Sequence, residues 1–239
     1  VYIHSVAHRT LTTDHALLGQ ITIPPVEKGK RYRRVRFIPH PLPQKVEDVF
    51  GTGRDPFDYH DARRVAQDIF DGAYVNLGIG QPTLVANHIP QDSEVVLHSE
   101  NGILGMGPAP AKELEDFDLI NAGKQPVTLL SGGAFFHHAD SFAMMRGGHL
   151  DICVLGAFQV SATGDLANWS TGEPGSIPAV GGAMDLALGA KQTWVMMDLL
   201  TKTGESKVVS KCTYPLTAIG CVKRIYSDLA TLECTPSGL

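Results

Sequence analysis

Glu100 is the residue of this 239-residue chain whose sequence setting most favours chemistry. It lies in the segment 99–102, Ser-Glu-Asn-Gly, which follows the apolar run 95–97 and precedes a Gly/Pro-rich stretch at 105–108. A strand followed at once by such a loop exposes a side chain at the carboxyl end of a sheet, where open α/β folds place their active sites. A carboxylate in that position can serve as a nucleophile.

Attack on a thioester is the chemistry that suits Glu100. A glutamate, whose ordinary pKa is about 4.3, is anionic at neutral pH and needs no partner base. The attack gives an anhydride, and the returning thiolate can capture the acyl carbon of Glu100 without hydrolysis. The transient oxyanion needs fixed NH groups, which Gly-rich turns at 78–80, 132–133, 147–148 and 181–182 would supply. A strand-end glutamate is also often a capping or salt-bridge residue, and the tetrapeptide leaves that interpretation open.

Other chemistries have less support in the sequence. The adjacent His137 and His138 point to different sides, which favours loop or substrate-lining roles over a two-histidine metal site. Ser-His-Asp chemistry lacks a nucleophile-elbow sequence. The cysteines lack metal-ligand spacing and are predicted to be reduced and mostly buried. We therefore predict no metal site; the four cysteines are Cys153, Cys212, Cys221 and Cys234.

Strands and helices alternate along the part of the chain that must position Glu100. From Tyr59 onward, apolar residues at 62, 65, 66 and 69 share one helical face, which predicts a first helix. The strands are predicted to be covered on both faces, because they are rich in Val, Ile and Leu without strict alternation. This order predicts an α/β fold with an open, mainly parallel sheet and helices on both faces. The predicted strands are 74–79, 95–97, 127–130, 152–155, 193–197 and 230–234, and the further helices are 83–88, 139–145 and 183–190.

The composition bounds the class of protein. Residues 1–58 contain repeated prolines and little helical periodicity, which predicts an irregular tail or linker before an α/β domain at 59–239. The net charge of −5 argues against a nucleic-acid partner. The sequence has no run of eighteen apolar residues and no secretory pattern at its amino terminus, so we expect a cytoplasmic protein without membrane association.

Several motifs in one order give the region from Tyr59 to Leu239 a family resemblance. It resembles the B half of class I (3-oxoacid) coenzyme A transferases, and within that family the 3-oxoadipate branch, through segments 135–145 and 176–182. The motifs are Tyr-Val-Asn-Leu-Gly-Ile-Gly at 74–80, Ser-Glu-Asn-Gly at 99–102, Leu-Ile-Asn-Ala-Gly-Lys at 119–124, Met-Arg-Gly-Gly-His-Leu-Asp at 145–151, Gly-Asp-Leu-Ala-Asn-Trp at 164–169 and Gly-Gly-Ala-Met-Asp-Leu at 181–186.

The resemblance implies roles for individual residues. Glu100 would be the covalent nucleophile, and Gly181 would give one oxyanion-hole NH, with a second donor from the A half of the enzyme. Asn76 and Lys124 would lie near the coenzyme or the carboxylate, although a strand-end hydrogen bond and a solvated lysine remain the alternatives for them. Gly80 and Gly182, in two of the glycine turns, are also predicted to contact the coenzyme.

The resemblance also implies the substrates and the partner. Succinyl-CoA would be the donor and 3-oxoadipate the acceptor, so coenzyme A is a substrate and no tightly bound cofactor is expected. The second carboxylate of the acceptor needs a cationic or donor-rich pocket, which Arg146, His137 or His138 would provide. Activity is expected to require the A half, as a separate or a fused polypeptide, in an oligomer of A and B halves.

Two departures from the family and three other functions stay open. Residues 1–58 are not the usual short lead-in and faintly resemble the end of an A half, which would indicate a fused polypeptide. The sequence ends shortly before an expected last helix. The alternatives are an acetoacetate-specific transferase, a non-catalytic effector-binding domain of the same fold, and a thioester hydrolase in which Glu100 holds a water.

Overall fold

The computed structural model describes residues 2–5, 36–39, 56–90, 92–175 and 178–235. Near the amino terminus, β1 (Tyr2–Ser5) and β2 (Arg36–Pro39) pair in parallel. Helix α1 (Pro56–Asp68) begins three residues before the predicted start at Tyr59. Most of the predicted tail lies outside the described residues, and the domain boundary at 58/59 stays a prediction.

Eleven further strands, two α-helices and two short 3-10 helices follow α1 in the described residues. The helices are α2 (His138–Arg146), α3 (Ala183–Gly189) and the 3-10 helices Gln81–His88 and Lys112–Leu114. The strands are β3 (Tyr74–Leu77), β4 (Val96–Ser99), β5 (Ile103–Met106), β6 (Leu129–Phe135), β7 (Ile152–Leu155), β8 (Gln159–Ser161), β9 (Leu166–Ala167), β10 (Gln192–Met196), β11 (Val208–Val209), β12 (Val222–Tyr226) and β13 (Thr231–Glu233).

The main sheet has eight strands in the order β13-β12-β10-β7-β3-β4-β5-β6. Its five central strands are parallel, and antiparallel pairing occurs only toward the edges, at β12-β13, β4-β5 and β5-β6. A separate sheet has the order β11-β8-β9. The prediction of an open, mainly parallel sheet is confirmed.

Helices cover both faces of the main sheet, as predicted. Alternate residues of the central strands enter two different cores. Ile152 and Val154 of β7 pack in one core with Val65 of α1. Cys153 and Leu155, in contrast, pack in the other core with residues of α2 and α3. Burial of one such aliphatic side chain contributes roughly 1.5–3 kcal/mol, so the packing on both faces holds the strand ends in place.

The carboxyl ends of the parallel strands meet at one rim of the sheet. Gly78 follows β3, Glu100 follows β4, Gly156 follows β7 and Met197 follows β10. All four line one cavity, at the place where open α/β sheets bind their ligands. In the described part of the chain, we find no helix with the length and apolarity to span a bilayer.

Candidate active site

The cavity at this rim has a volume of about 620 Å³, which lies in the usual range for small-molecule sites. Four residues predicted from the sequence line it: Asn76, Glu100, Gly181 and Gly182. They come from three separate parts of the chain, and the fold brings them to one wall. The structure therefore unites the proposed nucleophile with the glycine turn at 181–182.

Glu100 sits in a tight turn between the antiparallel strands β4 and β5. The turn is closed by the Gly102 NH, which donates to the Ser99 carbonyl at 3.0 Å. Gly102 has φ +110°, and a Cβ there would collide with the Phe136 carbonyl oxygen, so glycine is required. The Phe136 NH in turn donates to the Gly102 carbonyl at 3.0 Å. These contacts fix the backbone that carries Glu100.

The loop at 119–125 holds the same turn from another side. The Ala122 NH donates to Ser99 Oγ at 3.0 Å, and Asn101 Nδ2 donates to the Ile120 carbonyl at 2.7 Å. Both residues flanking Glu100 are thus committed to hydrogen bonds that hold the backbone. The Glu100 side chain is left to face the cavity.

The Glu100 carboxylate forms no ion pair with any residue that the structure describes. Burial raises the pKa of Glu100, since desolvation disfavours the anion. The positive charge of His138 lowers this pKa, and the negative charge of Asp185 raises it. A half-buried carboxylate without an ion pair fits a nucleophile better than the salt-bridge residue that the tetrapeptide left open.

Gly182 brings its backbone against the carboxylate. A Cβ built on Gly182 would collide with Glu100 Oε2 and would lie 3.2 Å from Phe142 Cζ. Gly181 has φ +55° with open space at its Cβ position. The turn therefore needs glycine at 182 for the close approach, and glycine suits the left-handed backbone at 181.

Asn76 lies at the cavity wall and also makes a strand-end hydrogen bond. Its Nδ2 donates to His98 Nδ1 at 3.0 Å and to the His98 carbonyl at 3.1 Å. Since the carbonyl can only accept, the orientation of the amide is fixed, and Nδ1 of His98 must be an acceptor. His98 Nε2 then carries the proton and donates to Ser141 Oγ at 3.0 Å.

This Asn76–His98–Ser141 relay is almost inaccessible to solvent. The exposed fractions of the three residues are 3%, 1% and 0%. Burial lowers the pKa of His98 to about 4, which agrees with a neutral imidazole that donates and accepts one hydrogen bond each. The relay joins β3, β4 and α2 directly beneath the Glu100 turn.

The remaining predicted residues do not line the cavity. Lys124 has φ +61° and its NH donates to the Asn121 carbonyl at 2.9 Å, so it is a turn residue. Gly80, with φ +92°, precedes the 3-10 helix. Their contacts with coenzyme stay predictions.

The three residues predicted to bind the acceptor lie on or beside α2. His137 accepts the Ala139 NH at 3.1 Å and thereby caps the helix. Arg146 Nε donates to Asp185 Oδ1 at 2.6 Å, which holds α2 to α3. His138 packs against Phe142 at 4.8 Å between ring centroids and acts on Glu100 through its charge. Their roles in acceptor binding stay predictions.

Sequence reasoning missed two functional candidates. His98 stands in an apolar run, and a polar residue in a buried strand was the available signal. Lys207 lines the cavity together with Asp198, and Nζ lies 3.9 Å from Asp198 Oδ2. No motif marks Lys207, because its position depends on the small sheet that β11 forms with β8.

Cysteine nucleophiles and metal ligands find no support in the described residues. Burial raises the pKa of the Cys153 and Cys234 thiols to about 12 and that of the Cys212 and Cys221 thiols to about 11. Such thiols carry little thiolate at neutral pH. No cluster of three or more His, Cys, Asp or Glu side chains suited to a metal occurs in this part of the chain.

Three comparisons place the chain among known proteins. The family model described as coenzyme A transferase matches residues 60–238. The chain is 77% identical over 178 residues to the B component of the 3-oxoadipate CoA-transferase of Pseudomonas putida, covering 74% of this chain and 83% of that protein. It is 50% identical over 171 residues to the B component of the succinyl-CoA:3-ketoacid coenzyme A transferase of Helicobacter pylori, covering 72% and 82%.

A solved structure has the same fold at low sequence identity. The acyl-CoA transferase YdiF of Escherichia coli O157:H7 matches with a TM-score of 0.58 and 20% identity. The match covers 79% of this chain and 38% of that chain, so the present chain spans less than half of the longer protein.

Proposed function

The chain belongs to the coenzyme A transferase family, and on that premise we propose that it moves coenzyme A from succinyl-CoA to 3-oxoadipate through a thioester on Glu100. The observation that carries the proposal is the setting of Glu100. This carboxylate is half-buried in a cavity wall, lies against Gly182 and forms no ion pair with a described residue. The names of the relatives support the choice of substrates.

The first half-reaction loads the enzyme. A carboxylate oxygen of Glu100 bonds to the thioester carbon of succinyl-CoA, the C–S bond breaks, and the coenzyme leaves as a thiolate. The product is a mixed anhydride between succinate and Glu100. The thiolate then attacks the Glu100 acyl carbon and expels succinate, which leaves the coenzyme as a thioester on the enzyme.

The second half-reaction runs the same steps in reverse with a new acid. The carboxylate of 3-oxoadipate attacks the glutamyl thioester and releases the thiolate, which then attacks the acceptor carbonyl. Glu100 is regenerated as a carboxylate and 3-oxoadipyl-CoA leaves. No water is consumed, and the energy of the thioester bond is retained.

Each tetrahedral intermediate carries an oxyanion that needs fixed hydrogen-bond donors. We assign one donor to the Gly181 NH, at the cavity wall next to the carboxylate, and a second to the A half. Gly80, Gly182, Asn76 and Lys124 keep their proposed roles at the coenzyme. Among these, the cavity position of Asn76 and Gly182 supports the proposal most directly.

The bacterial relatives are named as one component of a two-component enzyme, which supports a requirement for an A half. In our proposal the A and B halves form one oligomer, and the A half completes the site. His137, His138 and Arg146 would contact the distal carboxylate of the acceptor. This assignment requires a rearrangement of Arg146, whose guanidinium is held by Asp185.

The covalent carrier is tested with Glu100→Ala in the purified complex of the A and B halves. We expect acyl transfer to fall to the background rate while the fold remains, because the side chain contributes little to the core. After exposure of the wild-type complex to succinyl-CoA, borohydride should convert the Glu100 carboxyl group to an alcohol. An unchanged mass of the peptide containing Glu100, or near-normal turnover of Glu100→Ala, would falsify the proposed carrier.

The choice of acceptor is tested by comparing 3-oxoadipate with acetoacetate in steady state. We expect the higher kcat/KM with 3-oxoadipate. A higher value with acetoacetate would identify a 3-oxoacid transferase of different specificity. Release of free thiol without any acceptor acid would instead indicate hydrolysis.

A further inference from the structure

Lys207 is the one cationic side chain among the described residues that line the Glu100 cavity. The other cations with predicted roles, Lys124 and Arg146, do not line it. The Lys207 side chain is 23% exposed, so it is largely enclosed yet open to the cavity.

The backbone around Lys207 is fixed from two directions. The Lys207 NH donates to the Leu199 carbonyl at 2.9 Å, and the Lys207 carbonyl accepts from the Val160 NH at 3.1 Å. Leu199 is 2% exposed and Val160 is fully buried. The anchor of the lysine is therefore rigid, while its four-carbon stem lets the ammonium group search the cavity.

The ammonium group is only weakly engaged by the protein. Its ionic partner is Asp198, at 3.9 Å, and the Asp198 side chain is 59% exposed. An ion pair with such an exposed partner at that separation contributes little, about 0–1 kcal/mol. A ligand carboxylate in the cavity can therefore recruit Lys207 at small cost.

We propose that Lys207 determines acyl-group specificity by binding the free carboxylate at the far end of the acyl chain. This inference rests on the proposed function, in which the donor and the acceptor are both dicarboxylic. With the reacting carbonyl at Glu100, the second carboxylate extends into the cavity, where Lys207 offers the one described cation. A monocarboxylic acyl group such as acetoacetyl has no group to place there.

The test compares Lys207→Met with the matched control Lys202→Met in the complex of the A and B halves. Lys202 is an exposed lysine five residues away in the neighbouring loop and does not line the cavity. For Lys207→Met we expect kcat/KM with 3-oxoadipate and with succinyl-CoA to fall on the order of ten- to a hundredfold, the effect of a charge-assisted hydrogen bond. Values with acetoacetate and acetoacetyl-CoA should change little, and Lys202→Met should resemble wild type.

A second variant guards against a loss of folding. Lys207→Gln keeps most of the stem and removes the charge, so it should show the same selective loss. Lys207→Arg keeps the charge and should retain the preference for dicarboxylic substrates. An unfolding temperature near that of wild type identifies the variants that are suitable for this comparison.

Two outcomes would overturn the inference. An equal loss with dicarboxylic and monocarboxylic substrates would mean that Lys207 supports the structure of the site. A loss with every CoA ester but with neither free acid would mean that it binds a phosphate of the coenzyme.

Failure of the proposed function looks different. If wild type prefers acetoacetate over 3-oxoadipate, the acceptor proposal fails, and the comparison of succinyl-CoA with acetoacetyl-CoA still tests Lys207. If Glu100→Ala is inactive while Lys207→Met leaves the preference unchanged, the specificity inference alone is wrong.

Discussion

At the scale of single residues, Glu100 combines burial with the need to be charged. Burial raises its pKa in the folded state above the value of about 4.3 expected for the unfolded chain. A group shifted in this direction contributes stability that is full below the unfolded pKa and is lost as the pH rises through the folded pKa. The ionised nucleophile therefore costs stability at neutral pH.

Glu100→Gln should accordingly be more stable than wild type at pH 7, because it removes the buried charge. We expect the advantage in unfolding temperature to shrink toward pH 4, where the wild-type carboxyl group becomes protonated. Calorimetry across this range checks the trend, with the exposed Glu205→Gln as a control that should show no such dependence. A lower stability of Glu100→Gln at pH 7 would contradict this account.

Gly182 tests whether close approach of backbone and carboxylate matters. In Gly182→Ala the new methyl group would displace the Glu100 carboxylate, and we expect kcat to fall by roughly 10²-fold, as for a catalytic group misplaced by about an ångström. Folding should persist, because Gly182 has φ −83°, which alanine adopts readily.

Gly204→Ala serves as the control for Gly182→Ala. Gly204 has φ +84° in an exposed turn with open space at its Cβ position. Alanine there should cost about 1 kcal/mol of folding free energy and leave transfer intact. Normal kcat in Gly182→Ala would show that the carboxylate tolerates a displaced position.

At the scale of elements, the relay through His98 connects the strand that carries Glu100 to the helix that carries His138. Ser141 lies one helical turn after His138 on α2, and His98 lies two residues before Glu100. Because His138 lowers the pKa of Glu100, the separation of α2 from β4 affects both the position and the ionisation of the nucleophile. A buried network of this kind specifies direction as well as distance.

Ser141→Ala removes the α2 end of the relay. We expect kcat to fall on the order of tenfold with KM nearly unchanged, since binding groups remain in place. The acid side of the pH–rate profile should move to higher pH as the favourable charge of His138 becomes less well placed. Ser227→Ala, another fully buried serine with local hydrogen bonds, is the control.

His98→Gln distinguishes a relay from simple packing. A glutamine amide has one acceptor and donors, as the neutral imidazole does, and should preserve most of kcat. His98→Phe fills similar space without hydrogen bonds and should behave as Ser141→Ala. Equal activity in both His98 variants would show that ring packing suffices.

The sequence indicates elements well where burial is continuous and poorly where partners are distant. The predicted strand at 152–155 is confirmed residue for residue, because both of its faces are buried. β12 was not predicted, since Lys223 and Arg224 interrupt its apolar pattern. Arg224 is accommodated by Asp68, 156 residues away, and by Glu233, and no local pattern reveals such partners.

At the scale of the whole molecule, the site is a product of topology. Glu100 and the glycine turn at 181–182 could be predicted, because strand ends and turns carry local signals. The cavity positions of His98 and Lys207 depend on which strands become neighbours, as in the β3-β4 and β8-β11 pairs. Sequence alone could not indicate that Arg146 would be held by Asp185 outside the cavity wall.

The rim of the cavity bears on the proposed need for an A half. Ile79 and Phe158 line the cavity and are 67% and 41% exposed. Large apolar side chains grouped at a site opening mark a surface that another molecule covers, and one oxyanion donor is also assigned to the partner. We therefore expect this chain alone to show no transfer, and activity to rise on titration with the A half until the two are equimolar.

Assembly and chemistry can be separated in the same titration. A complex that contains Glu100→Gln should assemble to the same extent as wild type and stay inactive, because the amide is not a nucleophile for the thioester. Transfer at the full rate by the isolated chain would mean that both oxyanion donors come from this chain. The glycine turns at 78–80 and 132–133 would then be the first places to search for the second donor.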